Sequence, residues 1–463
     1  MSKTPSTKQP LPLWRRIALT LIVLIIIAMA LMMMVSYLLE IRLDGKIGAI
    51  EKAGHPVSFK QLVSPSAASE TTEKTAAIYT SSLSTLETIN IEGLSSAVSL
   101  LGNAISANAL DKLPPDFQAN ITQSLNQHHA CLQNLDTAAA LPLAGYDIGL
   151  QYSMPTALKS LEQARKAMIL LSLRTKILIA SKKYDDAAGS INTMLKTARV
   201  FDSSLMVTIS NIKQHFIRLA CGDIQTLIRR GKPSTSAIDK LTKTLTEVAQ
   251  TDTIKNTLLA EQVFQIENSR NLLSKKTAEK FLQTNIPEIP NRPILPDSSL
   301  GKIKVRLLVL SYFDEMDKLI QATSKSPSGL LEYLANSIKK MPQKLQPYIV
   351  APYAFVETSI ASSAVIKSTA LILHIEKFKL TNAKLPNSLA DIAASVDPLI
   401  MIDPYSNNSM LYKKEETFYT VYSTGPNKTD NGGSVNIIIS KETGQIEKKP
   451  EDIGLKILIP KKP

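Results

Sequence analysis

Residues 17–39 form a long apolar stretch without a charged side chain. A helix rises about 1.5 Å per residue, so this stretch would be about 35 Å long, enough to cross a hydrocarbon core of about 30 Å. Trp14 and Tyr37 lie near its ends, where aromatic residues favour the membrane interface. The pattern predicts a transmembrane helix that holds the chain in inner-membrane lipid.

The flanking charges predict the orientation of this helix. Four basic residues and no acidic residue precede it: Lys3, Lys8, Arg15 and Arg16. Because basic flanks stay on the cytoplasmic side, residues 1–16 are predicted as a cytoplasmic tail, with the bulk of the chain periplasmic or extracytoplasmic. A cleaved signal peptide is the alternative, since residues 28–30 fit a small-residue cleavage site. The apolar run continues past residue 30 to residue 39, which favours an uncleaved anchor.

The body of the chain has apolar residues at helical spacing. We interpret residues 40–75 as a juxtamembrane segment and linker, and residues 76–282 as a domain of helical hairpins. Residues 283–300 are rich in proline and predict an extended connector. Residues 301–381 predict a second helical block, in which Pro347 and Pro352 are expected at turns before a long helix from about Phe355 to Leu380.

The C-terminal part, residues 382–463, changes to short runs of aromatic and β-branched residues between turn residues. Strands are predicted over 410–413, 418–422 and 435–439. The fold class expected is mainly α: an N-terminal transmembrane helix, an α-helical hairpin ectodomain, and a small C-terminal α+β module with a short antiparallel sheet.

Composition adds little to this picture. The formal net charge is +13, but the lysines are scattered and no basic stripe alternates with aromatic residues, so nucleic-acid binding is not expected. Cys131 and Cys221 form no CxxC pair and no disulfide framework. Two buried thiols are favoured, and a disulfide between them stays open.

The sequence contains no recognisable constellation of catalytic residues. Metalloprotease, phosphate-loop, dinucleotide and nucleophile-elbow patterns are absent. His128 and Cys131 could share a metal, but two ligands do not complete a site. Ser337 and Lys340 match a Ser-x-x-Lys pattern without its partner motifs. A non-enzymatic protein is therefore expected, and the alternative is an envelope hydrolase or transferase whose site is formed by distant residues.

Several short motifs follow one another in the tail. They are Leu385-Pro386 with Ser388-Leu389, Asp403-Pro404-Tyr405 with Asn407, Tyr412, Tyr422-Ser423 with Gly425, and Gly432-Gly433. In this order they resemble the C-terminal part of the major pseudopilins of type II secretion systems. The chain lacks the leader glycine and the early glutamate of a pseudopilin, so it does not resemble a fibre subunit. It is similar to large single-span bacterial envelope proteins that carry a pseudopilin-like tail and have no established activity.

The resemblance implies a calcium loop at 423–433, with Asp430, Asn427 and Asn431 as the candidate ligands. Calcium takes six to eight oxygen ligands, and this loop offers one carboxylate, so either weak calcium binding or a neutral turn is expected. The function expected is that of a membrane-anchored, non-enzymatic envelope scaffold or protein-interaction module that binds other envelope proteins. The resemblance also implies an alternative, an accessory component of a type II secretion or pilus-like assembly.

Overall fold

The fold is taken from a computed structural model. It describes residues 12–62, 70–87, 89, 92–142, 154–203, 206–250, 253–273, 299–341, 343, 346–435, 438–439, 446–448 and 451–459. The predicted proline-rich connector lies outside the described residues except for 299–300. The described chain divides into two compact units, one of residues 1–58 and 265–315, the other of residues 59–264 and 316–463.

Helices account for most of the described chain. They are α1 (Leu13–Lys52), α2 (Phe59–Leu62), α3 (Glu70–Ser84), α4 (Glu92–Ala107), α5 (Pro115–Gln127), α6 (His129–Ala140), α7 (Met154–Ala180), α8 (Tyr184–Arg199), α9 (Val207–Arg230), α10 (Thr235–Gln250), α11 (Thr253–Leu273), α12 (Ser299–Ala322), α13 (Pro327–Lys340), α14 (Gln346–Asn382) and α15 (Pro398–Met401). Short 3-10 helices cover Leu110–Lys112, Val200–Ser203 and Leu389–Ser395. The strands are β1 (Leu411–Lys414), β2 (Phe418–Ser423), β3 (Ile438–Ile439), β4 (Ile446–Lys448) and β5 (Ile453–Leu458).

Helix α1 contains the predicted apolar run and continues beyond it. Within the part of the chain that the structure describes, nothing buries the most apolar window of α1, which makes the helix a candidate membrane span or signal sequence. From the last residue of the run onward, every third or fourth residue is buried: Leu39, Leu43, Ile47 and Ile50. This stripe extends the helix to Lys52 because it packs inside the first unit.

Side chains from α12 join this part of α1. Arg306 is buried and donates from Nη2 to Glu40 Oε2 at 2.8 Å, and from Nη1 to the hydroxyl of Ser36. Further toward the C-terminal ends of both helices, Lys46 Nζ lies 2.8 Å from Asp314 Oδ1. The two helices therefore run in the same direction within this unit.

The second unit is built around α7, α8, α9, α10 and α14, which pack against one another. Helix α14 is also long and apolar, but two thirds of its most apolar window is buried, so it is a core helix. Its buried hydroxyls are satisfied locally: Ser368 and Thr369 donate to the carbonyls of Ala364 and Val365 at 2.8 and 2.7 Å. The sequence predicted turns at Pro347 and Pro352, but Pro347 lies in the first turn of this helix and Pro352 lies inside it. That expectation was wrong because packing of the apolar face outweighs the one backbone hydrogen bond that proline removes.

The tail forms a three-stranded antiparallel sheet in the order β1-β2-β5. The first two strands match the prediction within one residue, but the third was wrong. Ile438–Ile439 pairs with Ile446–Lys448 in a separate ribbon, and Ile453–Leu458 completes the sheet. Gly454 lies opposite Tyr422, and a Cβ there would come within 2.2 Å of the Val421 carbonyl oxygen. This close approach requires glycine, which weakened the strand pattern in the sequence.

The structure thus confirms the coarse fold class, a mainly helical chain with an N-terminal apolar helix and a short antiparallel sheet. The arrangement of the body as helical hairpins stays a prediction.

Candidate functional site

The predicted calcium ligands all lie in one exposed loop, where their side chains bond to the loop itself. Asn427 Oδ1 accepts from the Thr429 amide at 3.0 Å, and Asn431 Oδ1 accepts from Asn427 Nδ2 at 2.8 Å. Asp430 Oδ1 accepts from the Gly432 amide at 2.8 Å and from the Tyr422 hydroxyl at 3.0 Å. Each candidate ligand therefore already uses one oxygen in a hydrogen bond, and within the loop Asp430 supplies a second carboxylate oxygen. Calcium binding here stays a prediction.

A carboxylate that the sequence did not single out organises the other side of this loop. Asp452 is fully buried and accepts from the amides of Asn431, Gly433 and Ser434 at 3.3, 2.9 and 3.0 Å. Successive amides that converge in this way hold an anion. The backbone at 431–434 is therefore arranged around negative charge supplied by the chain itself. No local pattern could have revealed it, since the partners are 18 to 21 residues apart in sequence.

The pKa of Tyr422 depends on its burial and on the neighbouring acidic side chains. Burial of the ring, the hydrogen bond to Asp430 and the negative charges of Asp430 and Asp452 all raise the pKa of the Tyr422 hydroxyl. The phenol therefore remains a donor to Asp430 at physiological pH.

Asp403 is the centre of a second, fully buried cluster in the tail. Its Oδ1 accepts from the Tyr405 amide at 2.9 Å and from the Ser423 hydroxyl. Its Oδ2 accepts from the Thr424 amide at 3.1 Å, the Thr424 hydroxyl at 2.9 Å and the Ser406 hydroxyl at 2.8 Å. Burial by itself would raise the pKa of Asp403, but these hydrogen bonds together lower it below the usual value. The Asp-Pro-Tyr and Tyr-Ser motifs of the tail therefore meet at one ionised carboxylate.

Two tyrosines join the sheet to the preceding helical segments. Tyr419 OH donates to Glu376 Oε1 of α14 at 2.7 Å, and Tyr412 OH donates to the Pro386 carbonyl at 3.1 Å. Burial, followed by the charges of Asp391 and Glu376, raises the pKa of Tyr412 to about 12. Both hydroxyls remain protonated donors, so Tyr419 joins the sheet to α14 and Tyr412 joins it to the segment that follows α14.

A polar cleft of about 600 Å³ lies among α6, α7, α8 and α10 in the second unit. Its described lining contains serine, threonine, asparagine, aspartate, lysine, arginine and small apolar residues, with no histidine or cysteine. Exposed charges of both signs border it, among them Asp185, Asp186 and Lys240. The sequence prediction missed this cleft because its walls come from helices that are distant along the chain.

The floor of the cleft is an ion pair whose members are satisfied by protein groups. Arg174 donates from Nη1 and Nη2 to the two oxygens of Asp136 at 2.7 and 2.8 Å, and from Nε to Ser190 Oγ at 3.0 Å. Thr193 also donates to Asp136 Oδ1 at 2.7 Å. A carboxylate held by a bidentate guanidinium positions helices well, but it is a poor general base.

A buried ion pair connects α7 with α9 outside the cleft. Lys176 Nζ contacts Asp223 Oδ1 and donates to Ser172 Oγ at 2.9 Å, and both charged side chains are buried. Burial raises the pKa of Asp223, and the charge of Lys176 opposes that effect. The pair has no open side for a ligand, so we assign it a structural role.

The other residues considered for chemistry do not converge. Cys131 is buried and its thiol donates to the Ser82 carbonyl at 3.3 Å, while His128 is half-buried between α5 and α6. Cys221 is also buried, and the two thiols are unpaired, as expected. Among the described residues, no group of three histidine, cysteine or acidic side chains is placed to hold a metal ion.

No family model matches the chain, and searches of curated proteins and of solved structures found no match. The pseudopilin resemblance therefore stays a prediction, and the residues of this chain alone support the functional proposal.

Proposed function

We propose that the protein is a membrane-anchored, non-enzymatic envelope protein whose helical part binds another protein. The observation that carries this proposal is the exposure of α1. Ile25 and Ile26 are each 58% exposed, and the most apolar window of α1 is unburied, whereas the comparable window of α14 is mostly buried. A continuous apolar surface of this length is long enough for contact with lipid across the hydrocarbon core of a bilayer.

The charges around α1 support a cytoplasmic location of the amino terminus. Arg15 and Arg16 lie at the start of the helix, and the charges after the run nearly cancel. On this basis the second unit, with its cleft and its tail, lies on the periplasmic or extracytoplasmic side.

The polar cleft is the proposed protein-binding site. Its rim offers exposed hydrogen-bonding groups and both signs of charge, which suits a polar segment of a partner protein. The Arg174–Asp136 pair also lines the cleft, and both oxygens of Asp136 already accept hydrogen bonds from Arg174. Helical hairpins that present such a groove fit a scaffold better than a hydrolase.

Site-specific photocrosslinking tests this assignment. A photoreactive amino acid replaces Lys240, which lines the cleft, or Lys243, which is exposed on the same helix but does not line it. In whole cells of the source organism we expect a discrete adduct from position 240 and none from position 243. Equal labelling at both positions, or none at either, would contradict a binding site in the cleft.

A second candidate function is an accessory role in a secretion or pilus-like assembly. It is favoured by the tail, in which Asp403, Tyr412 and Ser423 of the pseudopilin-like motifs are held by specific hydrogen bonds. Recovery of assembly proteins in the position-240 adduct would favour this role, and an unrelated envelope protein would favour the general scaffold.

A further inference from the structure

Helices α12 and α1 contribute to the same compact unit, and Arg306 of α12 donates to Ser36 within the apolar run of α1. Arg306 contacts Ser36 and Glu40, whose midpoint is position 38, and Asp314 contacts Lys46. Between the two contacts, each helix therefore advances by eight residues. Since the helices run in the same direction with a constant offset, Leu300 is level with about position 32 of α1. That is about 10 Å inside the end of the charge-free run at residue 39.

The side chains of this first part of α12 suit a lipid surface. Leu300 and Leu307 are 52% and 48% exposed, and their i, i+7 spacing places them on one face. Lys304 is exposed on the same face between them. The buried face of the helix is a different one, which carries Arg306, Leu310 and Phe313.

The exposed apolar surface of α1 continues to the same level. Leu38 and Ile41 are 55% and 51% exposed, so lipid-facing residues extend to the end of the run. A leucine at the level of position 32 would face acyl chains, and a lysine one turn further on would reach the phosphate layer.

We propose that the start of α12, residues 300–307, enters the same bilayer as α1, with Leu300 among the acyl chains, Leu307 at the acyl-chain boundary and Lys304 on a phospholipid phosphate. The inference rests on the proposed membrane span of α1. It makes the anchor a two-helix contact with lipid and fixes the membrane-proximal part of the first unit against the bilayer surface.

Depth-dependent fluorescence quenching tests the inference on the full chain in liposomes of phosphatidylcholine and phosphatidylglycerol. Single environment-sensitive labels are attached through Leu300→Cys, Leu24→Cys or Ser311→Cys, and the lipids carry a nitroxide on the acyl chain. Ser311 is the matched control, because it is exposed on α12 but level with position 43 of α1. Wild-type protein measures background labelling of the buried native thiols.

We expect labels at positions 24 and 300 to be quenched at least twofold more than the label at 311. If the label at 24 is quenched but the label at 300 is quenched no more than the label at 311, the inference about α12 is overturned and the membrane span of α1 is kept. If the label at 24 is not quenched, both the inference and the proposed span are overturned. Lys304→Glu in the Leu300→Cys background should weaken quenching at 300 at least twofold without a change at 24, and an unchanged value would overturn the phosphate contact.

Discussion

Replacing Asp403 by asparagine should loosen the tail, because the two oxygens of Asp403 each accept from a different backbone amide. The Tyr405 amide points to Oδ1 and the Thr424 amide points to Oδ2. An asparagine has one oxygen, so in either orientation its NH₂ group faces one of these amides. Hydroxyl groups can rotate to accept a hydrogen bond, but a backbone amide cannot.

The expected cost follows from this geometry. A hydrogen bond to a charged group contributes about 1.5–3 kcal/mol, and a buried donor without an acceptor costs a similar amount. Asp403→Asn should therefore lower the local free energy of opening by about 3 kcal/mol. At about 1.4 kcal/mol per factor of ten, amide exchange in the tail should accelerate by about two orders of magnitude.

Hydrogen exchange followed by mass spectrometry on the full chain in detergent measures this change in peptides from 402–425. Asp397→Asn is the matched control. Asp397 Oδ1 accepts from the Leu399 amide at a helix start, and its other oxygen meets the exposed Gln250 side chain, which can turn its own amide. Asparagine caps a helix as well as aspartate does, so this variant should change exchange less than threefold. Equal effects of the two substitutions would refute the role given to Asp403.

The pH dependence of hydrogen exchange in the same variant is an independent test of the role of Asp403. The pKa of Asp403 is lowered in the folded state below its usual 3.8. The carboxylate therefore stabilises the fold fully above that value, and the stabilisation is lost as the pH falls through the lower, folded-state pKa. The difference in protection between wild type and Asp403→Asn should shrink on acidification below about pH 4. A difference that grows there would contradict the assignment.

Three further predictions use other parts of the second unit. Gly454→Ala should break the β2–β5 pairing and lower the free energy of unfolding by more than about 2 kcal/mol, measured by thermal unfolding. The control Gly222→Ala, in open space on α9, should be neutral or stabilising by up to about 1 kcal/mol. Equal melting temperatures of the two variants would argue against the close approach at Gly454. Cys131 and Cys221 should react with iodoacetamide only after denaturation, because burial raises the pKa of both thiols, that of Cys221 to about 12. Rapid alkylation of the native protein would contradict the burial of these thiols. If the loop binds calcium, millimolar calcium should slow exchange at 426–434 in wild type but not in Asp430→Asn; no effect on wild type would remove the calcium loop.

The local features of this fold could be predicted from the sequence. The apolar run of α1 and the helical spacing in α7 depend on neighbours three and four residues away, so the pattern indicates them directly. Strands β1 and β2 are also adjacent in sequence, and a short polar link joins them. The end of α1 was less predictable, because the helix continues to Lys52 only through packing inside its unit.

Features that join distant residues could not be predicted. Strand β5 pairs with β2 across more than thirty residues, and Gly454 breaks the alternation that would have indicated a strand. The Asp452 contacts with loop 431–434 and the Arg174–Asp136 floor of the cleft also depend on tertiary structure alone. For this reason the sequence singled out Asn427, Asp430 and Asn431, which are close together in the chain, but not the distant Asp452, whose carboxylate accepts from the loop amides.

The most direct measurement is the location of the C-terminus in intact cells. Alkaline phosphatase, which is active only outside the cytosol, and green fluorescent protein, which becomes fluorescent in the cytosol, are each fused after Pro463. If α1 crosses the inner membrane with its basic flank inside, the phosphatase fusion is active and the fluorescent fusion is dark, with both proteins in the membrane fraction. A fluorescent fusion with an inactive phosphatase would contradict the extracytoplasmic placement of the cleft and the tail.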